Sequence, residues 1–157
     1  MRGKEREVAQ WCVLAVISSG IALSAQTTSP FAGTWKLNVS KSSYDPGPPP
    51  TSLTVKIEAR ENGEAAVQDG VDAQGNVVHV EFTATFDGKE HPVERDPNRD
   101  TVSNRRIDEY SFETTNRKGG RVTTINRTVV SRDGKVRTVT TTGTNARGQQ
   151  VHNTVVF

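Results

Sequence analysis

The sequence has almost no cysteine and few aromatic residues. Its single cysteine is Cys12, and Phe, Trp and Tyr together make up 6% of the 157 residues. One cysteine excludes an intramolecular disulfide framework and any cluster of cysteine ligands for zinc. No basic block is interleaved with the aromatic residues, so we expect no nucleic acid as a partner.

Long apolar runs are also missing, except near the amino terminus. Three basic residues precede the apolar run "WCVLAVISSGIAL", which is followed by the small residues of "SAQ". This order is typical of a secretory signal peptide, which we predict for residues 1–25 with cleavage after Ala25, leaving a single domain over residues 26–157. The run is shorter than the roughly 20 residues of a transmembrane helix, so we expect no permanent membrane insertion after cleavage.

The predicted domain has little net charge and little apolar material. Cleavage would remove three basic and two acidic residues from totals of 20 and 18, leaving 17 Lys and Arg against 16 Asp and Glu. This balance gives no electrostatic attraction for a polyanion. Because hydrophobic residues make up only 32% of the chain, the domain either wraps a thin core or leaves a polar, hydrated space inside.

Alternation of apolar and polar residues dominates residues 26–157. It is clean in "SLTVKIEA", where Leu53 and Val55 share the apolar face, and in "VVHVEFTATF", where Val80 and Phe82 do. Turns such as "ENGE", "FDGK" and "RDGK" separate these segments at short intervals. A period of two with Gly-containing turns indicates half-buried antiparallel strands. We therefore predict an all-β fold: an antiparallel up-and-down meander of eight to ten strands that closes into a barrel.

Two decapeptides, residues 70–79 and 143–152, share the pattern Gly-x-(Asp/Asn)-Ala-x-Gly-x-x-Val-His. The pattern predicts a hairpin closed by a type I turn, with its second glycine in the left-handed region. Since the valine before each histidine belongs to the apolar face, His79 and His152 are predicted to face solvent. With His91 alone beside a proline, we expect no catalytic histidine pair, no metal site and no cofactor.

A resemblance to a known family rests on two segments. "FAGTWKLNVSKSSYD", with Gly33 and Trp35, resembles the Gly-x-Trp opening of lipocalin-like domains, which belong to the calycin group of small barrels. "TVSNRRIDEYSFETTNRKGGRV" is similar to paired strands of the same group. The resemblance implies a lipocalin-like barrel that Gly33 and Trp35 plug at one end, with a ligand held in the interior.

The predicted binding residues follow from that barrel. The loop of residues 41–50 would cover the open mouth of the barrel, with Tyr44 as its one aromatic residue. The alternative, which the sequence supports equally, is a surface loop stiffened by prolines. Phe82 and Phe112 would line the wall.

Two arginines are predicted to hold an anionic group of the ligand. Arg106 and Arg127 lie on predicted strands, and an inward arginine needs a partner such as a carboxylate. The alternative is that they pair with the protein's own Asp108 and Glu113.

The sequence thus predicts a secreted or periplasmic, non-catalytic, monomeric lipocalin-like barrel that binds a small amphipathic or hydrophobic ligand. Nucleophile elbows, zinc-protease motifs and phosphate-binding loops are absent from the sequence, so we expect no enzyme. The alternative is a structural or protein-interaction module of the cell envelope with a filled core. A continuous cavity above roughly 300 Å³ would favour the ligand-binding hypothesis.

Overall fold

A computed structural model describes residues 29–157 of the chain. The signal peptide predicted for residues 1–25 lies outside the described residues. In the described range, none of the helical segments has the length and apolar character needed to span a membrane.

Ten antiparallel strands follow one another in chain order, and each pairs with the next, as the meander prediction requires. The sheet curls strongly into a half-barrel, and residues 29–157 contain no α-helix, only a short 3-10 turn at Val39–Lys41. The strands are β1 (Gly33–Lys36), β2 (Ser52–Arg60), β3 (Gly63–Val71), β4 (Val77–Thr85), β5 (His91–Glu94), β6 (Thr101–Arg106), β7 (Ser111–Lys118), β8 (Arg121–Val130), β9 (Arg137–Thr144) and β10 (Gln150–Val156).

The repeated decapeptide forms the same hairpin turn twice, which confirms the turn prediction. In the first copy, the Asp72 carboxylate accepts hydrogen bonds from the backbone amides of Gln74 and Asn76 at 2.9 and 2.8 Å, and Gly75 has a φ of 88°. The second copy repeats both contacts around the amide oxygen of Asn145, at 2.9 and 3.0 Å. The repetition therefore reflects turn geometry.

The apolar core lies on the concave face of the sheet, where the alternation predicted it. Trp35, Val55 and Phe82 belong to one cluster, in which the rings of Phe31 and Phe112 meet edge-to-face with centroids 4.8 Å apart. A second cluster on β4, β5 and β6 contacts the first through Phe82. Each such side chain contributes roughly 1.5–3 kcal/mol by leaving water.

The register between β7, β8 and β9 decides which face of the threonine-rich strand β8 points inward. Thr128 lies opposite Phe112 on β7 and Val139 on β9, and both Thr128 and Val130 are buried. Asn126 shares their face because strand side chains alternate. The interior of this half of the sheet is therefore polar as well as apolar.

The segment that follows β1 runs along β10. The amides of Ser43 and Thr154 each donate to the other's carbonyl at 2.8 Å, and the amide of His152 donates to the carbonyl of Asp45 at 2.7 Å. Strand β10 therefore has a backbone partner on each side over part of its length, and the first residues of the 41–50 loop are fixed to it.

Candidate functional site

A cavity of about 230 Å³ lies on the inner face of the curled sheet, next to the main core cluster. Its apolar wall is formed by side chains from five strands and from the last residue: Leu53, Val55, Phe82, Phe112, Val139, Val155 and Phe157. Its polar wall is formed by side chains that also point to the inner face of their strands: Glu64, Gln68, Thr114, Asn126, Thr128, Arg137 and Thr141.

Glu64 is the buried acidic group of this cavity. It lies opposite Ala59 in the β2–β3 register, and only 3% of it is exposed. Its Oε1 accepts one hydrogen bond, from Nδ2 of Asn104 at 3.3 Å, while Asn104 accepts from the Thr114 hydroxyl at 2.8 Å. Burial raises the pKa of Glu64, and the charge of Arg137, the hydrogen bond from Asn104 and the charge of Arg106 oppose part of that rise.

Arg137 is the buried basic group, with 8% of the residue exposed. Its backbone amide and carbonyl exchange hydrogen bonds with Phe157 at 3.1 and 2.8 Å, and its guanidinium carbon lies 5.2 Å from the centre of the Phe157 ring. Burial lowers the pKa of Arg137 to about 10, against the opposing effect of the Glu64 charge.

Three polar atoms in the cavity wall are buried without a hydrogen-bond partner. They are Oε2 of Glu64, Oδ1 of Asn126 and Nε of Arg137, and within residues 29–157 only Oγ of Ser111 shares this property. A buried polar atom without a partner costs about 1–3 kcal/mol, so such groups are rarely left alone. Their convergence on one cavity indicates a place where water or a ligand completes the hydrogen bonds.

A second arginine in the wall is already neutralised. The guanidinium of Arg99 lies 5.2 Å from the centre of the Phe82 ring, and it donates to Asp96 at 2.7 Å and to Asn116 at 2.8 Å. Arg99 therefore has a counter-ion in Asp96, and its guanidinium packs on the Phe82 ring.

Three of the predicted binding residues line the cavity: Tyr44, Phe82 and Phe112. Tyr44 comes from the segment that runs along β10, and partial burial raises the pKa of its hydroxyl. Pro50, at the end of the same loop, joins it in the lining. Their part in binding a ligand stays a prediction.

The structure does not place the predicted Arg106 and Arg127 in the cavity. Arg106 ends β6, where its guanidinium carbon lies 4.3 Å from the ring centre of Phe86 and 5.2 Å from that of Phe31. Arg127 is exposed, because the register that buries Thr128 turns it outward. Arg137, which the sequence did not single out, lines the cavity and has an unpartnered Nε.

The residues predicted to plug one end lie in the core cluster or beside it. Trp35 is buried, and its indole N–H donates to the carbonyl of Phe31 at 2.9 Å. Gly33 begins β1 with a φ of 138°. The guanidinium of Arg106 lies over the ring of Phe31, which belongs to the same core cluster as Trp35.

The histidine of the first repeat pairs with carboxylates on the outer face. Nδ1 of His79 lies 2.6 Å from Asp69, and Nε2 lies 2.7 Å from Glu81. The hydrogen bond to Asp69 is the largest of the causes that raise the pKa of His79, followed by the hydrogen bond to Glu81. Among residues 29–157, no group of three or more His, Cys, Asp and Glu side chains is arranged to hold a metal ion.

Glu64, Asn126 and Arg137 are not among the site residues predicted from the sequence. The sequence does contain a signal for Glu64. The hairpin at "ENGE" pairs β2 with β3 and places Glu64 directly opposite Ala59, which lies on the apolar face of β2, so Glu64 points to the same face. Asn126 and Arg137 lie on strands where neither face is purely apolar, so local pattern alone does not tell which side is inward.

The cavity wall thus presents the guanidinium of Arg137, the carboxylate of Glu64 and the amide oxygen of Asn126, each with an unpartnered atom, beside aromatic and aliphatic side chains. These are the groups that orient a small molecule in a largely apolar pocket. Comparisons of the chain with protein-family models, with curated proteins and with solved structures gave no match.

Proposed function

We propose that this protein binds a small amphipathic molecule in the cavity on the inner face of its sheet. The observation that carries the proposal is the convergence of three unpartnered buried polar atoms, on Glu64, Asn126 and Arg137, in the wall of one cavity. Evolved cores rarely tolerate such groups, and sites that do are typically sites of binding or catalysis.

The composition of the wall supports an amphipathic ligand. The polar atoms would hold a head group, and Phe82, Phe112 and Val139 would pack against an apolar part. The volume of about 230 Å³ does not reach the roughly 300 Å³ that would favour ligand binding over a filled core, which is also the volume that a drug-sized ligand needs. The proposal is therefore restricted to compounds smaller than that class.

The proposal includes a closed, lipocalin-like barrel and an exported, non-catalytic monomer. Closure is supported by the backbone hydrogen bonds between Ser43 and Thr154, which join the segment after the first strand to the last strand. Export is supported by the sequence of residues 1–25 alone.

Fluorine NMR of trifluoromethylbenzyl alcohol, a small amphipath, tests the interior site. We expect its signal to broaden and shift with wild-type protein and to stay unchanged with Val139→Phe, which fills the cavity. Thr140→Phe is the matched control, because it adds the same ring to the neighbouring position on the opposite face of β9. Equal binding by both variants would place the probe outside the cavity.

The outer face of β8 favours a second candidate function, a protein-interaction module. Ile125 and Val129 are 39% and 40% exposed on one face of this strand, opposite Thr142 and Thr138 of β9. Replacing both with threonine would weaken capture of an envelope partner and leave the binding of the alcohol probe unchanged. If that variant no longer bound the alcohol probe, the outer face of β8 and the cavity would not be independent binding sites.

A further inference from the structure

We propose that the ligand is a small zwitterion, with an ammonium group held by Glu64 and Asn126, a carboxylate held by Arg137, and a short apolar side chain. This inference rests on the proposed function and deepens it by naming the chemical class of the ligand. An apolar α-amino acid such as leucine represents the class.

The charges in the cavity wall favour a zwitterion. Glu64 and Arg137 carry opposite formal charges, both are more than nine-tenths buried, and both line the same cavity. No ion pair joins them within the described residues, although each charge affects the other's titration. A ligand with one charge of each sign can approach both groups and leave neither without a counter-ion, because the total charge of the site stays balanced.

The unpartnered donors and acceptors in the cavity wall also favour a zwitterion. The unpartnered atoms are two oxygen acceptors, Oε2 of Glu64 and Oδ1 of Asn126, and one donor, Nε of Arg137. An ammonium group has three donors and no acceptor, and a carboxylate has only acceptors. The two ends of a zwitterion therefore match the two kinds of orphaned atom.

Singly charged ligands fit the same groups less well. A simple carboxylate would meet Arg137 but bring a second negative charge near Glu64, which would have to take up a proton. A simple amine would meet Glu64 and leave the guanidinium of Arg137 buried without an anion. Either ligand leaves at least one of the three orphaned atoms without its complement.

The size and the wall of the cavity limit the rest of the molecule. Its volume is about 230 Å³, and Phe112, Val139 and Val155 supply apolar contacts beside the polar groups. A branched or linear aliphatic side chain would bury its surface there. A long acyl chain would extend beyond the volume of about 230 Å³.

Isothermal titration calorimetry with three matched probes tests the inference at neutral pH. Leucine has both charges, isocaproate lacks the ammonium, and isopentylamine lacks the carboxylate, while the aliphatic part stays the same. We expect leucine to bind at least about tenfold more tightly than either analogue, because each analogue lacks one set of buried charged hydrogen bonds.

Two substitutions locate the charges. Glu64→Gln should lower leucine affinity by about tenfold or more and leave isocaproate affinity equal or higher, and Arg137→Met should have the converse effect on isopentylamine. Glu58→Gln and Arg127→Met are matched controls, since both parent residues are exposed outside the cavity. Circular dichroism of each variant verifies that it is folded.

The outcomes separate this inference from the proposed function. If isocaproate binds as tightly as leucine with uptake of a proton, the zwitterion is wrong and the site takes an anion. If the alcohol probe binds in the cavity but leucine does not, the zwitterion is also wrong while the proposed function stands. If neither leucine nor the alcohol probe binds, both proposals fall.

Discussion

Glu64 and Arg137 line one cavity from β3 and β9, yet no ion pair is formed between them in the described part of the chain. Two buried charges that do not touch each other lose their hydration and gain little attraction in return. Such an arrangement lowers stability, and natural proteins accept it where binding requires it. The pair is therefore the part of the molecule where stability and the proposed function oppose each other.

Replacing both charges with methionine should stabilise the fold. Methionine keeps most of the volume of each side chain, so Glu64→Met with Arg137→Met should raise the free energy of unfolding by roughly 1–4 kcal/mol. Each single substitution should raise the free energy of unfolding by less than half of that amount, because it leaves the other charge without an opposite charge in the cavity. Urea unfolding of the four proteins measures this coupling; strictly additive effects would show that the two charges do not interact.

The stability of the wild type should depend on the ionisation of Glu64. Because burial raises its pKa above the ordinary 4.5, the folded state holds this proton more tightly than the unfolded state. The resulting stabilisation is present below pH 4.5 and is lost as the pH rises through the folded pKa. Relative to Glu64→Gln, the wild type should lose up to about 1.4 kcal/mol per pH unit in that window. Urea unfolding at several pH values measures the free energy of unfolding of both proteins. If the wild type and Glu64→Gln showed the same dependence on pH, the raised pKa would be wrong.

His79 should titrate above its ordinary pKa of 6.5, because the carboxylates of Asp69 and Glu81 stabilise its protonated ring. Asp69→Asn should lower the pKa of His79 more than Glu81→Gln does, since the Asp69 hydrogen bond is the larger cause. Any stability that the contacts of His79 with Asp69 and Glu81 add is present below pH 6.5, and it is lost as the pH rises through the raised pKa of His79. Proton NMR titration of the ring measures both shifts, with Glu58→Gln as a remote control; one common pKa in all four proteins would rule out the pairing.

The repeated hairpin turns should respond alike to substitution. Gly75 and Gly148 have φ values of 88° and 80°, so alanine at either position should cost about 1–2 kcal/mol. Asp72→Asn should be tolerated, because Asn145 accepts the equivalent backbone hydrogen bonds in the second copy. Chemical unfolding compares the three variants, and a loss from Asp72→Asn as large as that from Gly75→Ala would refute the equivalence.

Site residues could be predicted from the sequence on strands where the apolar and polar residues alternate clearly, and not on strands where they do not. Phe82 lies in a strand of clean alternation, and the structure places it in the wall of the cavity as expected. Arg127 lies on β8, where threonine occurs on both faces, and the sequence could not tell that it points outward. A register shift of one residue would exchange the faces of Arg127 and Thr128, so only the pairing partners decide.

The sequence by itself determined the strands, their order and the turns, because alternation and glycine geometry act between residues close along the chain. The tertiary structure decided which polar groups meet. Glu64, Asn126 and Arg137 belong to strands that are not all neighbours in the sheet, and only the curl brings their side chains to one cavity. That convergence depends on sheet curvature and on register, which arise from the packing of the whole core.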